Sequence, residues 1–355
     1  MTNKKTIWKV LLIGLMLMLI LNPLWSAGDK EKAPKKTVWK IASGAEEGNP
    51  LTEFARRLER AVEEYSQGEI EVQVFPIGTL GVTTDIIEMV QTGDIDIVFS
   101  DFSWMSGFVP YSNLFAIHGL WPKTGYAEII KWIVDKGESF KMMQSAFEDR
   151  GYHLLNYYTN GWFWWTSTKP IRTPNDLKGY VMRTQSSRLI MAGFEALGAS
   201  VVATDWSEVY AALELGLIDG QSSTIIGIYN TKLFEVASHL YQPYTQIYMN
   251  MPIANLNWWN SLDDDIRNFV TQFMVDEIPS MAKWVEEKEK EAAQSILSEK
   301  PGFVIHEFSE AERAPFVDLV QKTYDDFARV GGPGADKVLE AFLRDVENAK
   351  KELGL

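Results

Sequence analysis

From Thr37 onward the chain alternates short strand-forming runs with amphipathic helices, and that alternation leaves few architectures open. TVWKIAS reads as a strand, and Asn49-Pro50 then supplies a helix cap and a first-turn proline. Leu51, Phe54, Leu58, Val62 and Tyr65 recur at helical spacing until Gly68 stops the helix. Ile70, Val72 and Val74 alternate at the period of a strand, a helix follows over 83–92, and GDIDIVFSD is a further strand. The spacing predicts a helix near 124–149 and a strand at HLLNYYT. Strand–helix–strand succession of this kind implies a sheet of parallel or mixed order with helices on its faces.

The pattern then starts again. NGWFWWTSTKPI, residues 160–171, opens a second unit in which Thr173-Pro174-Asn175-Asp176 makes a helical turn and YVMRT a strand. Leu189, Phe194 and Leu197 lie on a helix ended by Gly198. Asp205-Trp206-Ser207-Glu208 has the form of a capping box, with a helix to Leu215, and LIDGQSST is the next strand. HLYQPYTQIYMNMPIANLN is long enough to run from one lobe back to the other, and the remainder reads as helical. The expected fold class is α/β: a bilobal clamp of two lobes with mixed sheets, joined by crossing strands and a long helix. Ligands of such open sheets lie in the crevice beyond the strand ends.

Composition fits two packed lobes. Of 355 residues 46% are hydrophobic and 23% charged, and single cores stop growing at roughly 250–300 residues. The net charge of −14 repels nucleic acid and anionic lipid, so neither is expected as a partner. Lys4, Lys5 and Lys9 precede an apolar run from Val10 to Leu21, a break at Asn22-Pro23, and small residues at Ser26, Ala27 and Gly28. That is the order of a secretory signal peptide, with an uncleaved anchor as the lesser reading, and it sends the body to the periplasm. The expected division is 1–28 signal peptide, 29–36 charged leader, 37–160 with 249–288 as lobe 1, and 161–248 with 289–355 as lobe 2 and C-terminal helices. The absence of cysteine excludes lipid-modified cysteine, thiol catalysis and cysteine-bound zinc.

Three segments carry a family resemblance: EEYSQGEIEVQVFPIGTLGVTTDIIEMVQTGDIDI, KPIRTPNDLKGYVMRT and LGASVVATDWSEVYAALELGLIDGQ. The chain resembles the solute-binding proteins of tripartite ATP-independent periplasmic (TRAP) transporters, of the dicarboxylate-binding type, over almost its whole length from Thr37. The resemblance implies capture of a small organic acid by lobe closure and its delivery to membrane permease subunits, with no enzymatic activity, by a monomer. A sensor that presents the same clamp to a membrane receptor is the alternative, and it would use the same residues. The resemblance also implies that Arg183, on the strand after Asp-Leu-x-Gly, holds the ligand carboxylate; a guanidinium fork suits two parallel bonds to such a group.

Other positions carry over less directly. Sialic-acid-binding members place a second arginine where this chain has Phe163, and an asparagine where it has Ser223 in DGQSS. The cleft aromatic of the family falls on Trp206, a first-lobe carboxylate on Asp101 and a further polar group near Thr83. Strand alternation groups Phe163 with Trp165, and that pair is expected to face the cleft. A ring in place of a second cation points to a ligand with one acidic group and an apolar or cationic body rather than a dicarboxylate or sialic acid. It would be a zwitterion, whose positive centre Asp101 and Trp206 would hold, or equally a hydroxy, keto or aromatic monocarboxylate.

No catalytic, metal or cofactor site is expected. His118, His153, His239 and His306 lie far apart without ligand spacing and read as ordinary surface or hydrogen-bonded residues. Asp263-Asp264-Asp265 reads as an acidic first helical turn, and no nucleophile–base pair can be named.

Overall fold

The computed structural model describes residues 36–355 except Ser186, Asp205, Gln321 and Lys322. The chain divides into units 1–37 and Val38–Leu355, and the fold is that of the second. The signal peptide, the leader up to residue 35 and the Asp205 capping box lie outside the described residues.

In chain order the elements of the first part are β1 (Thr37–Ser43), α1 (Pro50–Tyr65), β2 (Ile70–Phe75), α2 (Thr83–Thr92), β3 (Ile97–Asp101), α3 (Phe102–Met105), α4 (Tyr126–Lys136), α5 (Glu138–Glu148), β4 (Tyr152–Leu154) and β5 (Tyr158–Trp162). Next come β6 (Trp164–Ser167), β7 (Val181–Thr184), α6 (Arg188–Ala196), β8 (Ser200–Ala203), α7 (Val209–Glu214), β9 (Gly220–Ser223), α8 (Ile225–Asn230), β10 (His239–Gln242) and β11 (Ile247–Asn255). The last are α9 (Leu256–Ser261), α10 (Asp264–Glu299), β12 (Val304–Glu307), α11 (Glu310–Val320), α12 (Thr323–Val330) and α13 (Ala335–Leu353).

The strands form two six-stranded sheets. One runs β2-β1-β3-β11-β4 with β5 also on β11, and the other runs β12-β10-β6-β9-β7-β8. Both are mixed: β1 lies parallel to β3 while β11 is antiparallel to it, and β7 lies parallel to β8 and β9 while β6 is antiparallel to β9. This is the bilobal α/β clamp. The chain passes between the sheets at β5–β6 and again at β10–β11. The helix α10, 36 residues long, packs on α1, α4 and β5 of lobe 1 and on α8 of lobe 2. Its Glu277 pairs with Arg57 of α1 at 2.8 Å, and its Glu299 with Lys232 of lobe 2 at 2.9 Å.

Local chemistry sets the ends of these elements. Asn49 caps α1, its side chain accepting from the Leu51 N–H at 3.2 Å, with Pro50 in the first turn. The helix predicted near 124–149 is two helices, because Gly137 breaks it: a Cβ there would lie 2.6 Å from the Ile133 carbonyl oxygen. Of the C-terminal helices, α13 returns to lobe 1. Its stripe of Val338, Ala341, Phe342, Val346 and Ala349 is buried, and the helix packs on α4 and α5 of lobe 1. Phe342 meets Trp121 edge-to-face at 5.1 Å, and the Asp345 carboxylate accepts from the Ser139 N–H at 2.8 Å and hydroxyl at 2.7 Å, closing the start of α5. The purely helical C-terminal expectation also misses β12, a short edge strand parallel to β10.

Away from the crossings the lobes touch along a second seam. His118, just past the 3-10 turn Pro110–Ala116 of lobe 1, is 1% exposed and lies edge-to-face with Phe194 of α6. Gly193 makes room for it: a Cβ there would lie 2.7 Å from His118 Nε2. Neither ring nitrogen has a hydrogen-bond partner, which corrects the expectation of a surface or bonded histidine. Beside it the Ser187 hydroxyl, at the start of α6, donates to Asn113 Oδ1 at 3.2 Å.

Candidate functional site

A cavity of about 550 Å³ opens between the lobes at the ends of the strands. Five of the seven residues singled out from the sequence line it: Thr83, Asp101, Arg183, Trp206 and Ser223. Each owes its place to a strand end or a helix start. Asp101 ends β3 and caps α3, Thr83 begins α2, Arg183 lies on β7 and Ser223 ends β9.

Arg183 is 3% exposed and held in place. Its Nε and Nη2 donate to the Thr204 carbonyl at 2.9 and 2.5 Å, and its guanidinium lies 5.6 Å from the Trp206 ring centre. A guanidinium gripped on one edge and stacked on one face is pre-oriented for an anion in the cavity it lines.

Asp101 is equally buried, at 3%, but its charge is answered within lobe 1. Oδ1 accepts from the Ser103 N–H at 2.8 Å, the Ser103 hydroxyl at 2.5 Å and the Trp104 N–H at 3.4 Å. Burial pushes its pKa up from the ordinary carboxylate value, and these hydrogen bonds oppose that shift. Tyr248 titrates well above its ordinary value, through burial first and the Asp101 charge second, so it keeps its proton.

The pair Phe163 and Trp165 does not face the cleft, which corrects the expectation drawn from strand alternation. No single strand runs through the four aromatics: β5 ends at Trp162 and β6 begins at Trp164, so Phe163 sits at the crossing itself. It is 1% exposed and packs on Tyr248 at 4.9 Å and Phe102 at 6.4 Å, one layer behind the cleft wall. Trp165 lies among Phe194, Phe308 and Phe316. Trp162 packs edge-on to Tyr126 and Tyr244, and Trp164 joins the lobe 2 core with Val285 and Ile225. All four rings are core.

Sequence reasoning missed Glu46, Asn49, Trp104, Asn160, Gln185 and Tyr248, which also line the cavity. Glu46 accepts from Asn230 of α8 at 3.2 Å across the cleft. Asn160 had a signal: a polar amide between Tyr158 and Trp162, in a strand whose every residue is buried. Among the described residues no cluster of three His, Cys, Asp or Glu side chains is placed to hold a metal ion.

Two lobes with a lined crevice define a ligand-capturing clamp, and comparison with known proteins specifies which kind. The model of the bacterial extracellular solute-binding protein family 7 (DctP) matches residues 41–330, and the chain belongs to that family. It is 28% identical to the C4-dicarboxylate-binding periplasmic protein DctP of Vibrio cholerae, over 81% of this chain and 84% of the relative. It is 23% identical to the ectoine-binding periplasmic protein TeaA of Halomonas elongata, over 88% of this chain and 91% of that one. Among solved structures, a TRAP periplasmic solute-binding protein from Desulfovibrio salexigens with bound orotic acid matches with a TM-score of 0.81 at 25% identity, covering 88% of this chain and 100% of that one. The chain is thus a TRAP-type solute-binding protein for small organic acids, a transport component rather than an enzyme, working with membrane permease subunits. The family is extracytoplasmic, and among the described residues no helix is long and apolar enough to cross a membrane.

Proposed function

We propose that this protein captures, as a monomer in the periplasm after loss of its signal peptide, a small acid with one carboxylate and an apolar or zwitterionic body. Arg183 binds the carboxylate; Trp206, Trp104 and Tyr248 wall the body; Ser223 and Thr83 supply polar contacts at the rim. The single observation behind this reading is the charge balance of the lining: among the described residues it holds one guanidinium, Arg183, against two acids, Asp101 and Glu46. A diacid would bring its second carboxylate towards like charge, which costs several kcal/mol in a partly desolvated site. A positive or apolar body meets rings and anions instead.

Calorimetry and thermal shift with a panel of acids test the proposal. Monoacids and zwitterions, ectoine and orotate among them, are expected to stabilise the protein and succinate-like diacids are not. Tight succinate binding with no response to any monoacid overturns it.

A further inference from the structure

Two residues that line the cleft each carry a buried amide oxygen without a hydrogen-bond partner. Asn160 is 3% exposed, lines the cavity, and its Oδ1 is buried without a hydrogen bond. Gln185, two residues past Arg183 on the opposite wall, gives its Nε2 to the Ser222 carbonyl at 3.5 Å while its Oε1 is buried with none. Buried carbonyl-type acceptors left unanswered are rare in native proteins because each costs the full desolvation of the group.

The local backbone explains why Asn160 points where it does. In the ladder between β5 and β11, Trp162 pairs with Ile247 and Thr159 with Met249, so Asn160 and Gly161 together oppose the single residue Tyr248. This bulge sets Asn160 beside Tyr248 on the cleft side, while Thr159 turns its hydroxyl back to the Gly161 N–H at 2.8 Å. Gly161 tolerates the turn at φ +93°. The Tyr248 hydroxyl, though beside it, does not pair with Asn160 Oδ1.

Building on the monocarboxylate reading above, we infer that Asn160 and Gln185 accept hydrogen bonds from a positively charged N–H group of the ligand, which makes the ligand an amino-acid-like zwitterion. Two acceptor oxygens call for two donated hydrogens. An ammonium or a protonated ring amidine supplies them, a hydroxyl supplies one, and a keto group none. Asp101 and Glu46 on the same lining add a negative field that favours the charged nitrogen over a neutral donor. Arg183 then reads the carboxylate, and the two amides read the nitrogen.

The test is calorimetry of matched acids on the full chain: 3-methylbutanoate, its 2-oxo and 2-hydroxy forms and L-valine, with 3-phenylpropanoate, 3-phenyllactate and L-phenylalanine as a larger set. Each amino member is expected to bind about tenfold tighter than its hydroxy counterpart and about a hundredfold tighter than the unsubstituted acid. Asn160→Ala should shrink that preference to within about threefold. Asn160→Asp should keep the preference, because a carboxylate accepts the same hydrogens. Should Asn160→Ala fail to fold, Gln185→Leu gives the same readout from the other wall. A preference that is absent, or that survives both substitutions, overturns the inference while leaving monocarboxylate capture by Arg183 standing. Failure of every acid in both sets to bind overturns both.

Discussion

The cleft and the His118 seam are both places where the lobes face each other, yet they handle ionisable groups in opposite ways. In the cleft every buried charge is positioned: Asp101 by donors of its own lobe, Arg183 by the Thr204 carbonyl and the Trp206 face. At the seam a titratable ring is shut between Phe194 and Gly193 with no polar contact. The cleft is a surface prepared for something to arrive. The seam is closed packing, and its chemistry acts on stability instead of binding.

Substitutions can pull that contrast apart. The largest effect expected is on binding: Arg183→Ala should cost about 2–5 kcal/mol of ligand affinity, as when a buried charge pair is broken from one side. A large drop in the melting temperature of the unliganded protein with unchanged affinity would make Arg183 a structural residue.

Next comes acid. Burial lowers the His118 pKa from 6.5 to about 4, so between those values the unfolded chain takes up a proton that the folded one refuses. Stability from this group is therefore whole above pH 6.5 and lost as pH falls towards 4, by roughly 3 kcal/mol. Chemical denaturation across that range should show the slope in the wild type and a flatter one in His118→Asn; equal slopes would mean that the ring protonates in the folded state.

One substitution can be made on both sides of the comparison. Gly193→Ala drives a methyl to 2.7 Å from His118 Nε2 and should destabilise by about 1–3 kcal/mol. Gly227→Ala, in α8 beside the cleft, meets the Ser223 hydroxyl and Trp206 ring at an ordinary 3.5 Å and should leave stability unchanged or raise it by less than about 1 kcal/mol. Its mark should be on ligand affinity. Between these lies Asp101→Ala, which removes the cap of α3 and should cost about 0.5–2 kcal/mol in a denaturant melt.

Much of the fold was legible because periodicity is local. The strand 37–43, the Asn49-Pro50 helix start and the helix 83–92 appear where alternation and capping put them. The return of α13 to lobe 1 was not, since an apolar stripe shows that a helix packs but not on which partner. The cleft was half legible. Motif positions led to Thr83, Asp101, Arg183, Trp206 and Ser223, all of which line it. Phe163 misled because alternation assumes an unbroken strand, and the chain changes sheets at that residue. Tyr248 and Asn160 face the cleft through a bulge, an irregularity of pairing that neither segment betrays alone. His118 looked ordinary because burial without partners is a property of the assembled seam.

The sharing of α10 by both lobes has a further consequence. Lobe 1 is assembled from stretches that lie before, between and after those of lobe 2, and one helix of 36 residues, with Pro279 in its interior, packs on both lobes. Neither half exists as a continuous piece of chain that could be cut out and refolded. The two should melt together as one cooperative event, with a calorimetric enthalpy that matches the van't Hoff value.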